Sequence, residues 1–498
     1  MVFLILIYLV LASLPLPWPP PLVGGGWIGS LTATAILTAL PILAAAWAAR
    51  RAARALTRHP LDRDEILHDY GASRSRQVFA LMACFALALT VFGWGWTVRQ
   101  MFGVERPSDL PFASELITLA PFVVGLILIW AVNYTVERTA AAWSEIGFDR
   151  GLPYGGRWSY VVFLSRQHLA LISVPLGLFI VEQGLIRTFP ETFGGGASRL
   201  ALIGLTALAL VLAPWALRWL LRTERLPDGP MRARLEAAAR RLRLRYSNIL
   251  LWNTRGGVAN AMVAGPLPWV RYIFLSDRLL ETLPPDEVEA VFGHEVGHVR
   301  HGHFLFYIAF IALSLFALAG LWEVGLSVVV GEQRFASVDD VPLWLQWHEV
   351  PEIALLGAYM FVAFGFLSRR CERQADLFGC RAVSCGNWQC AGHTAVTALA
   401  PAGRGLCPTG IRTFIRALDR VAAVNGISRR KPGWLQSWLH STIAKRIEFL
   451  ERVIADPTAA QRFQRRVALI KWGTLALLAG VFAALALAGF WEQLCSVF

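Results

Sequence analysis

Long apolar stretches alternate with short arginine-rich ones along nearly the whole chain. Nine of them approach the ~20 residues a helix needs to cross a bilayer: 2–16, 27–49, 78–97, 112–132, 169–186, 200–217, 304–322, 353–367 and 472–490. Glycine, proline and polar positions interrupt several, which membrane helices tolerate where neighbours satisfy the backbone. The first, "MVFLILIYLVLASLPLPW", lacks a basic leader region, and no small-residue cleavage site precedes "PPPLVGGG", so it reads as an uncleaved span. Between the sixth and seventh stretches the rhythm changes. "DGPMRARLEAAARRLRLRY" places Met231, Leu235, Ala238 and Leu242 on one helical face. "NILLWN", "ANAMVAG" and "RYIFLSD" read as short strands, with "TRGG" as a hairpin turn. "LPPDEVEAVFGHEVGHVRHGH" then reads as one helix, begun by Pro284 and Pro285, with Asp286 and Glu287 suited to its positive end.

Composition supports the membrane reading. Of 498 residues 56% are hydrophobic and only 16% charged, against ~25% charged in an ordinary globular domain. The net charge of +13 comes from 47 Lys+Arg against 34 Asp+Glu, and the cations are nearly all arginine. They flank apolar runs, as in "AARRAARALTRHPLDR" and "RFQRRVALIKW", which is positive-inside patterning. A nucleic-acid-binding protein would instead carry a basic patch on a soluble module. With the N-terminus inside, loops 50–76, 133–160, 218–303 and 368–471 fall on the cytoplasmic side and hold most of the arginines. Opposite loops such as "GEQRFASVDDVPLWLQWHEVPE" carry few. The Arg-rich, Lys-poor usage points to a high-GC bacterial source, hence to a bacterial cytoplasmic (inner) membrane.

Candidate chemistry lies at the mouth of the seventh stretch. His294-Glu295-Val296-Gly297-His298 is H-E-x-x-H. Residues i and i+4 stand one above the other on a helix, so both imidazoles reach one Zn²⁺, and Glu295 between them is placed to act as general base on a metal-activated water. The alternative, a charged surface face, conflicts with the apolar flanks "VEAVFG" and "VGHV". His301 shares the face of His294 but lies ~10 Å further along the axis, too far for the same ion. His303 is expected to point to the other side, so both belong at the membrane boundary or behind the ligands. A third ligand is needed. "SRRCERQADLFGC" offers Glu372 and Asp376 at i, i+4, one to bind metal and the other to orient an imidazole. Salt bridges to Arg369 or Arg373 are the alternative.

Together "DEVEAVFGHEVGHVRHGH" and "SRRCERQAD" resemble the integral-membrane zinc metalloproteases that include the HtpX-type heat-shock proteases and the CAAX prenyl endopeptidases. The resemblance runs over residues 227–451. It implies Glu372 as the third ligand and Asp376 as its partner behind the metal. It also implies that Asn260, in "NAMVAG", contacts substrate beside an edge strand. His440 and Arg446, in "WLHSTIAKRIEFL", would face the oxyanion of the reaction; the family often has Pro after this His, where Ser441 stands here.

The fold expected is mainly α: a multi-span transmembrane helical bundle with a gluzincin-like cytoplasmic zinc protease domain carrying a small β-sheet. The expected division is an N-terminal membrane domain of about six spans over 1–221, a protease domain over 222–466 with inserted spans near 304–330 and 350–368, and a C-terminal span and tail over 467–498. The function implied is zinc-dependent endoproteolysis of membrane or membrane-associated proteins at the cytoplasmic face, in quality control or processing. A CAAX-type prenyl-protein endopeptidase is the narrower alternative. A transporter or receptor with a regulatory protease domain is the alternative of another class, hinted at only by Glu115, Arg166 and His168. Expected partners are protein or peptide substrates and the lipid bilayer, with no nucleic acid; the oligomeric state is not set by the sequence.

Seven cysteines complete the inventory. Cys380, Cys385, Cys390 and Cys407 crowd one loop with His393, on the side where stable disulfides are disfavoured. Cys380 continues the preceding helix, which leaves Cys385, Cys390, Cys407 and His393 as a possible set for a second, structural Zn²⁺. Free buried thiols are the alternative, and the spacing sits at the loose end of a zinc knuckle.

Overall fold

The structure is a computed structural model. It describes residues 26–102, 113–142, 153–189, 196–331, 349–390, 405–427 and 439–488, with single positions 21, 342, 345, 392 and 429. The expected span at 2–16, and His393, lie outside the described residues. The chain divides into two compact units, one of Met1–Arg222 with Asn253–Gly257, the other of Thr223–Trp252 with Val258–Phe498.

The first unit is helical: α1 (Gly26–Arg58), α2 (Arg63–Thr90), α3 (Trp94–Phe102), α4 (Ala113–Ala142), α5 (Arg157–Thr188) and α6 (Gly196–Leu220). Helices α1, α2 and α4 pack through small and aliphatic residues, among them Ala49, Ala52, Leu56, Tyr70, Val136 and Ala140, while Trp27, Leu43 and Trp47 of α1 face outward. The expected span at 78–97 is broken: α2 and α3 meet at a 55° bend. The Tyr70 hydroxyl donates to Asn133 Oδ1 at 2.5 Å, and Arg74 pairs with Glu137 at 2.9 Å. His168, one hint for a transporter, bonds its own helix at Leu164 O and lies against the Trp130 ring.

In the second unit β1 (Thr223–Arg225) leads to α7 (Pro230–Arg241), β2 (Asn248–Trp252), β3 (Ala261–Ala264), β4 (Tyr272–Ser276) and the short α8 (Asp277–Thr282). Then come α9 (Pro285–Arg300), α10 (His303–Val330), α11 (Glu349–Tyr359), α12 (Gly365–Ala382), α13 (Pro408–Val424), α14 (Ile443–Ala455) and α15 (Thr458–Leu487). A π-turn at Met360–Phe364 joins α11 to α12 without ending the helical run. Among the described residues five helices are long and apolar enough to cross a membrane, six if α2–α3 counts as one. The protein is a multi-pass membrane protein.

Three strands fall where the alternation put them; β1 was not anticipated. The sheet order is β1-β2-β4-β3, with β2 and β4 parallel. "TRGG" therefore does not close a hairpin. The true hairpin joins β3 to β4. Strand β4 is buried at every residue and takes the centre, leaving the short, half-exposed β3 at the edge.

The apolar side of this sheet and α7 bury Leu235, Ala238, Ile249, Ile273 and Leu275 against Val288, Phe292 and Val296 of α9. A second core, from Ala290 through Leu377, Ile411, Phe414, Ile447 and Leu450, holds α9, α12, α13 and α14 together. The carboxylates near the start of α9 are not merely dipole partners. Glu289 is buried and paired with Arg234 and Arg241, and buried Glu287 accepts from Arg420 at 2.7 Å.

The H-E-x-x-H helix, expected as one piece through His303, is shorter than that. It ends at Arg300, and Gly302 (φ +62°) turns the chain in the left-handed region before α10 starts at His303. Glycine adopts that conformation without a Cβ penalty. The Glu372 helix, by contrast, does continue its apolar run, Pro351–Ala382.

Candidate active site

Helices α9 and α12 cross almost backbone to backbone because their meeting faces lack side chains. A Cβ on Gly293 would stand 2.3 Å from the Ala382 Cβ, one on Gly297 3.0 Å from the Ala375 Cα, and one on Gly379 2.9 Å from Ala290 O. That closeness brings Glu372 of α12 within reach of the two histidines of α9.

His294 Nε2 and His298 Nε2 are 3.3 Å apart. Glu372 Oε2 lies 3.7 Å from the first, and its Oε1 lies 3.6 Å from the second. Two imidazole nitrogens and a buried carboxylate thus face one point. A tetrahedral Zn²⁺ with bonds of ~2.0–2.1 Å sets its donors ~3.3–3.4 Å apart, so the triangle fits that ion with little adjustment. Glu295, beside this triangle, is the fourth group of the motif. Burial pushes its carboxyl up to about 7, against which His294 and a backbone hydrogen bond from Val263 act. Val263 belongs to edge strand β3, which therefore runs directly past the motif.

The supporting groups are as well placed as the triangle. Asp376 Oδ1 lies 3.0 Å from His294 Nδ1, though not aligned as a full hydrogen bond. Burial disfavours a charged His294, but contact with Asp376 and the nearby Glu372 outweigh it and raise its pKa. Phe414 of α13 stacks on the His294 ring at 5.8 Å. On His298, burial prevails and lowers the pKa to about 4, which keeps the ring neutral, the form that ligates. Its Nδ1 is 3.0 Å from His303 Nδ1, and His303 Nε2 is 3.1 Å from Gln374 Oε1. Gln374 Nε2 donates in turn to Gln464 Oε1 at 2.6 Å. A metal on His298 Nε2 would leave an Nδ1–H to donate, and the chain His298–His303–Gln374–Gln464 can pass every donor to an acceptor.

His303 therefore does not point away as the continuous-helix reading had it. The turn at Gly302 brings it back behind His298. His301 stacks on His303 and holds Lys471 through its carbonyl. Gln374 and Gln464 were missed altogether, since their partners come from distant elements. The "HGH" segment carried the one available signal, a glycine placed to stop a helix.

Arg446, expected at the oxyanion, gives Nε to Asp376 Oδ2 at 2.9 Å and Nη2 to Oδ1. This pair is buried, and it fixes the carboxylate that fixes His294. His440 Nδ1 lies 3.1 Å from Glu372 Oε1, and the charge of Glu372 raises its pKa despite desolvation. Ser441 takes φ +65°, a conformation closed to proline, so the turn after His440 is built differently from a His-Pro one. The Asn260 side chain accepts from Ala261 N, while Ser276 Oγ accepts from Asn260 N at 2.8 Å. Asn260 is exposed at the start of β3.

Comparison with known proteins finds relatives for this part of the chain. Residues 227–454 match the profile of peptidase family M48. The chain is 32% identical over 153 residues to a protease HtpX homolog of Aeropyrum pernix, covering 29% of this chain and 46% of that one. It is 27% identical over 256 residues to a CAAX prenyl protease 1 homolog of Arabidopsis thaliana, covering 48% and 56%. The chain thus spans about half the length of the curated relatives it matches. In fold it is similar to Ste24p of S. mikatae, with a TM-score of 0.50 at 17% identity, over 86% of this chain and 99% of that one. Over residues 227–454, which contain His294, Glu295, His298, Glu372, Asp376, His440 and Arg446, the chain is similar to peptidase family M48.

Proposed function

We propose that this protein is a membrane-embedded zinc endopeptidase that cleaves membrane or membrane-associated proteins at the cytoplasmic face. The observation that carries the proposal is the donor triangle of His294, His298 and Glu372, with Glu295 partly buried beside it. Those three side chains would hold Zn²⁺, which when bound would supply Lewis-acid charge to a carbonyl and to an attacking water. Glu295 then takes the proton of the attacking water and returns it to the leaving amine as the C–N bond breaks. Edge strand β3 is the sheet edge against which an extended substrate would lie, with Asn260 at its start. His440, whose pKa the charge of Glu372 raises, would place positive charge where the oxyanion develops. Asp376 and Arg446 act one layer back, by holding His294.

The division we propose is an N-terminal membrane domain over 1–221, the protease domain over 222–466 and a C-terminal span and tail over 467–498. The location proposed is a bacterial cytoplasmic membrane, on the strength of the arginine asymmetry and the Arg-rich composition. Proteomic comparison of membranes carrying the native chain or Glu295→Gln tests the function. Substrates with intact ends accumulating only with the variant support it. No difference between the two membranes refutes it. Enrichment of prenylated C-terminal tails among those substrates would narrow the activity to the CAAX type.

A further inference from the structure

Away from the triangle, a second group of metal-grade side chains converges. The sulfur atoms of Cys385, Cys390 and Cys407 all lie within 4.8 Å of one another. They come from separate places: Cys385 just past the end of α12, Cys390 from the following turn, and Cys407 from the residue that caps α13. None of the three forms a disulfide. We propose that they hold a second, structural Zn²⁺ as thiolates.

The geometry suits a metal better than a disulfide or a chance cluster. A tetrahedral Zn²⁺ with Zn–S bonds of ~2.3 Å separates its sulfurs by ~3.8 Å, so small side-chain rotations complete the site. A disulfide would unite two sulfurs at ~2.05 Å and leave the third without a role. Gly410 N donates to Cys407 Sγ at 3.3 Å, and Cys390 Sγ lies 3.5 Å from Thr409 Oγ1, so both sulfurs sit at the positive end of the 17-residue α13. Cys380 takes no part. It is fully buried in the apolar core with Ile411 and Leu450, as its place inside α12 requires.

A metal here would act as a staple. Ser384 already links the two helix ends, donating to Cys380 O at 2.8 Å and accepting from Cys407 N at 3.1 Å. The three thiolates would lock that junction. Helix α12 carries Glu372 and Asp376, and α13 carries the Phe414 ring stacked on His294. The staple thus fixes two walls of the candidate active site relative to each other. The role is structural; Cys385, Cys390 and Cys407 do not belong to the donor triangle.

The test is metal counting on the full chain purified without chelators. The proposal expects two zinc ions per chain in the native protein and one in Cys385→Ser/Cys390→Ser. His294→Ala/His298→Ala should also keep one, held by the cysteines. Replacement of zinc by Co²⁺ should add thiolate-to-metal absorption in the near ultraviolet, present in the native and His294→Ala/His298→Ala chains. This reading on the native chain stands even if the cysteine variant fails to fold. A single zinc with no thiolate absorption, or a disulfide between any two of the three cysteines by mass spectrometry, overturns the staple. A single zinc that survives the histidine changes but not the cysteine ones would uphold the staple and sink the proposed catalytic metal.

Discussion

Asp376 stands between His294 and Arg446: one carboxylate oxygen lies 3.0 Å from the His294 ring, and both oxygens take the Arg446 guanidinium. Orientation of the first proposed ligand therefore depends on an ion pair reaching across from α14. Carboxylates behind metal-bound histidines typically contribute 10–100-fold to metal affinity. Asp376→Asn should weaken zinc binding by roughly that factor, measured by chelator competition. Unchanged affinity would mean that Asp376 serves only packing.

Arg446 should then act through Asp376 and not at the oxyanion. Removing it leaves a buried carboxylate unpaired, which costs about 3–5 kcal/mol. Arg446→Gln should lower the thermal midpoint and the zinc affinity together. A variant with native stability and native zinc content but reduced kcat would return Arg446 to the oxyanion role.

The close crossing of α9 and α12 makes a sharp packing prediction. Gly293→Ala places a methyl group 2.3 Å from the Ala382 Cβ, and overpacking of this kind costs about 1–3 kcal/mol. Since the same crossing sets the distance from Glu372 to the histidines, zinc content should fall as well. Ala382→Gly in the same chain should restore both. Failure of that second change to restore either would show that the glycine serves some other purpose.

How much of this was legible in the sequence follows from the range of the forces involved. The apolar runs, the H-E-x-x-H helix and the Glu372–Asp376 pair are local in sequence, so periodicity and spacing reached them, and eight of the nine expected spans fall on helices. The sheet order escaped because parallel pairing of β2 with β4 depends on which strand the core buries deepest, not on the turn between neighbours. The relay from His298 to Gln464 escaped because its members lie on α9, α10, α12 and α15. Arg446 was expected at the oxyanion, and only the fold reveals that Asp376 claims its guanidinium.

That relay makes its own prediction. His303→Phe keeps an aromatic ring of similar bulk but gives the His298 Nδ1–H no acceptor. Zinc affinity should drop about tenfold with little change in fold, as judged by chelator competition beside far-ultraviolet circular dichroism. His301→Phe, one turn away from His298, should leave affinity within about twofold. Equal losses from both changes would point to general packing instead.

The raised pKa of Glu295 predicts a pH profile. The working form is the carboxylate, present above the pKa and lost as pH falls through it. Burial raises that pKa from 4.5 to about 7, and the charge of a bound metal lowers it part of the way back. The acidic limb of kcat/KM should therefore lie above 4.5 and no higher than about 7. A limb at 4.5 or below would show that burial does not set this carboxylate's acidity.

The central claim is that Glu295 is the base of a zinc peptidase whose ligands are His294, His298 and Glu372. Its most direct test is Glu295→Gln in the full chain reconstituted in liposomes, with zinc counted and cleavage of a membrane-protein substrate timed on the same sample. Zinc should stay at the native content while the rate falls by ~10²–10⁴. A variant that keeps more than a few per cent of native activity, or one that loses its zinc, would contradict the account.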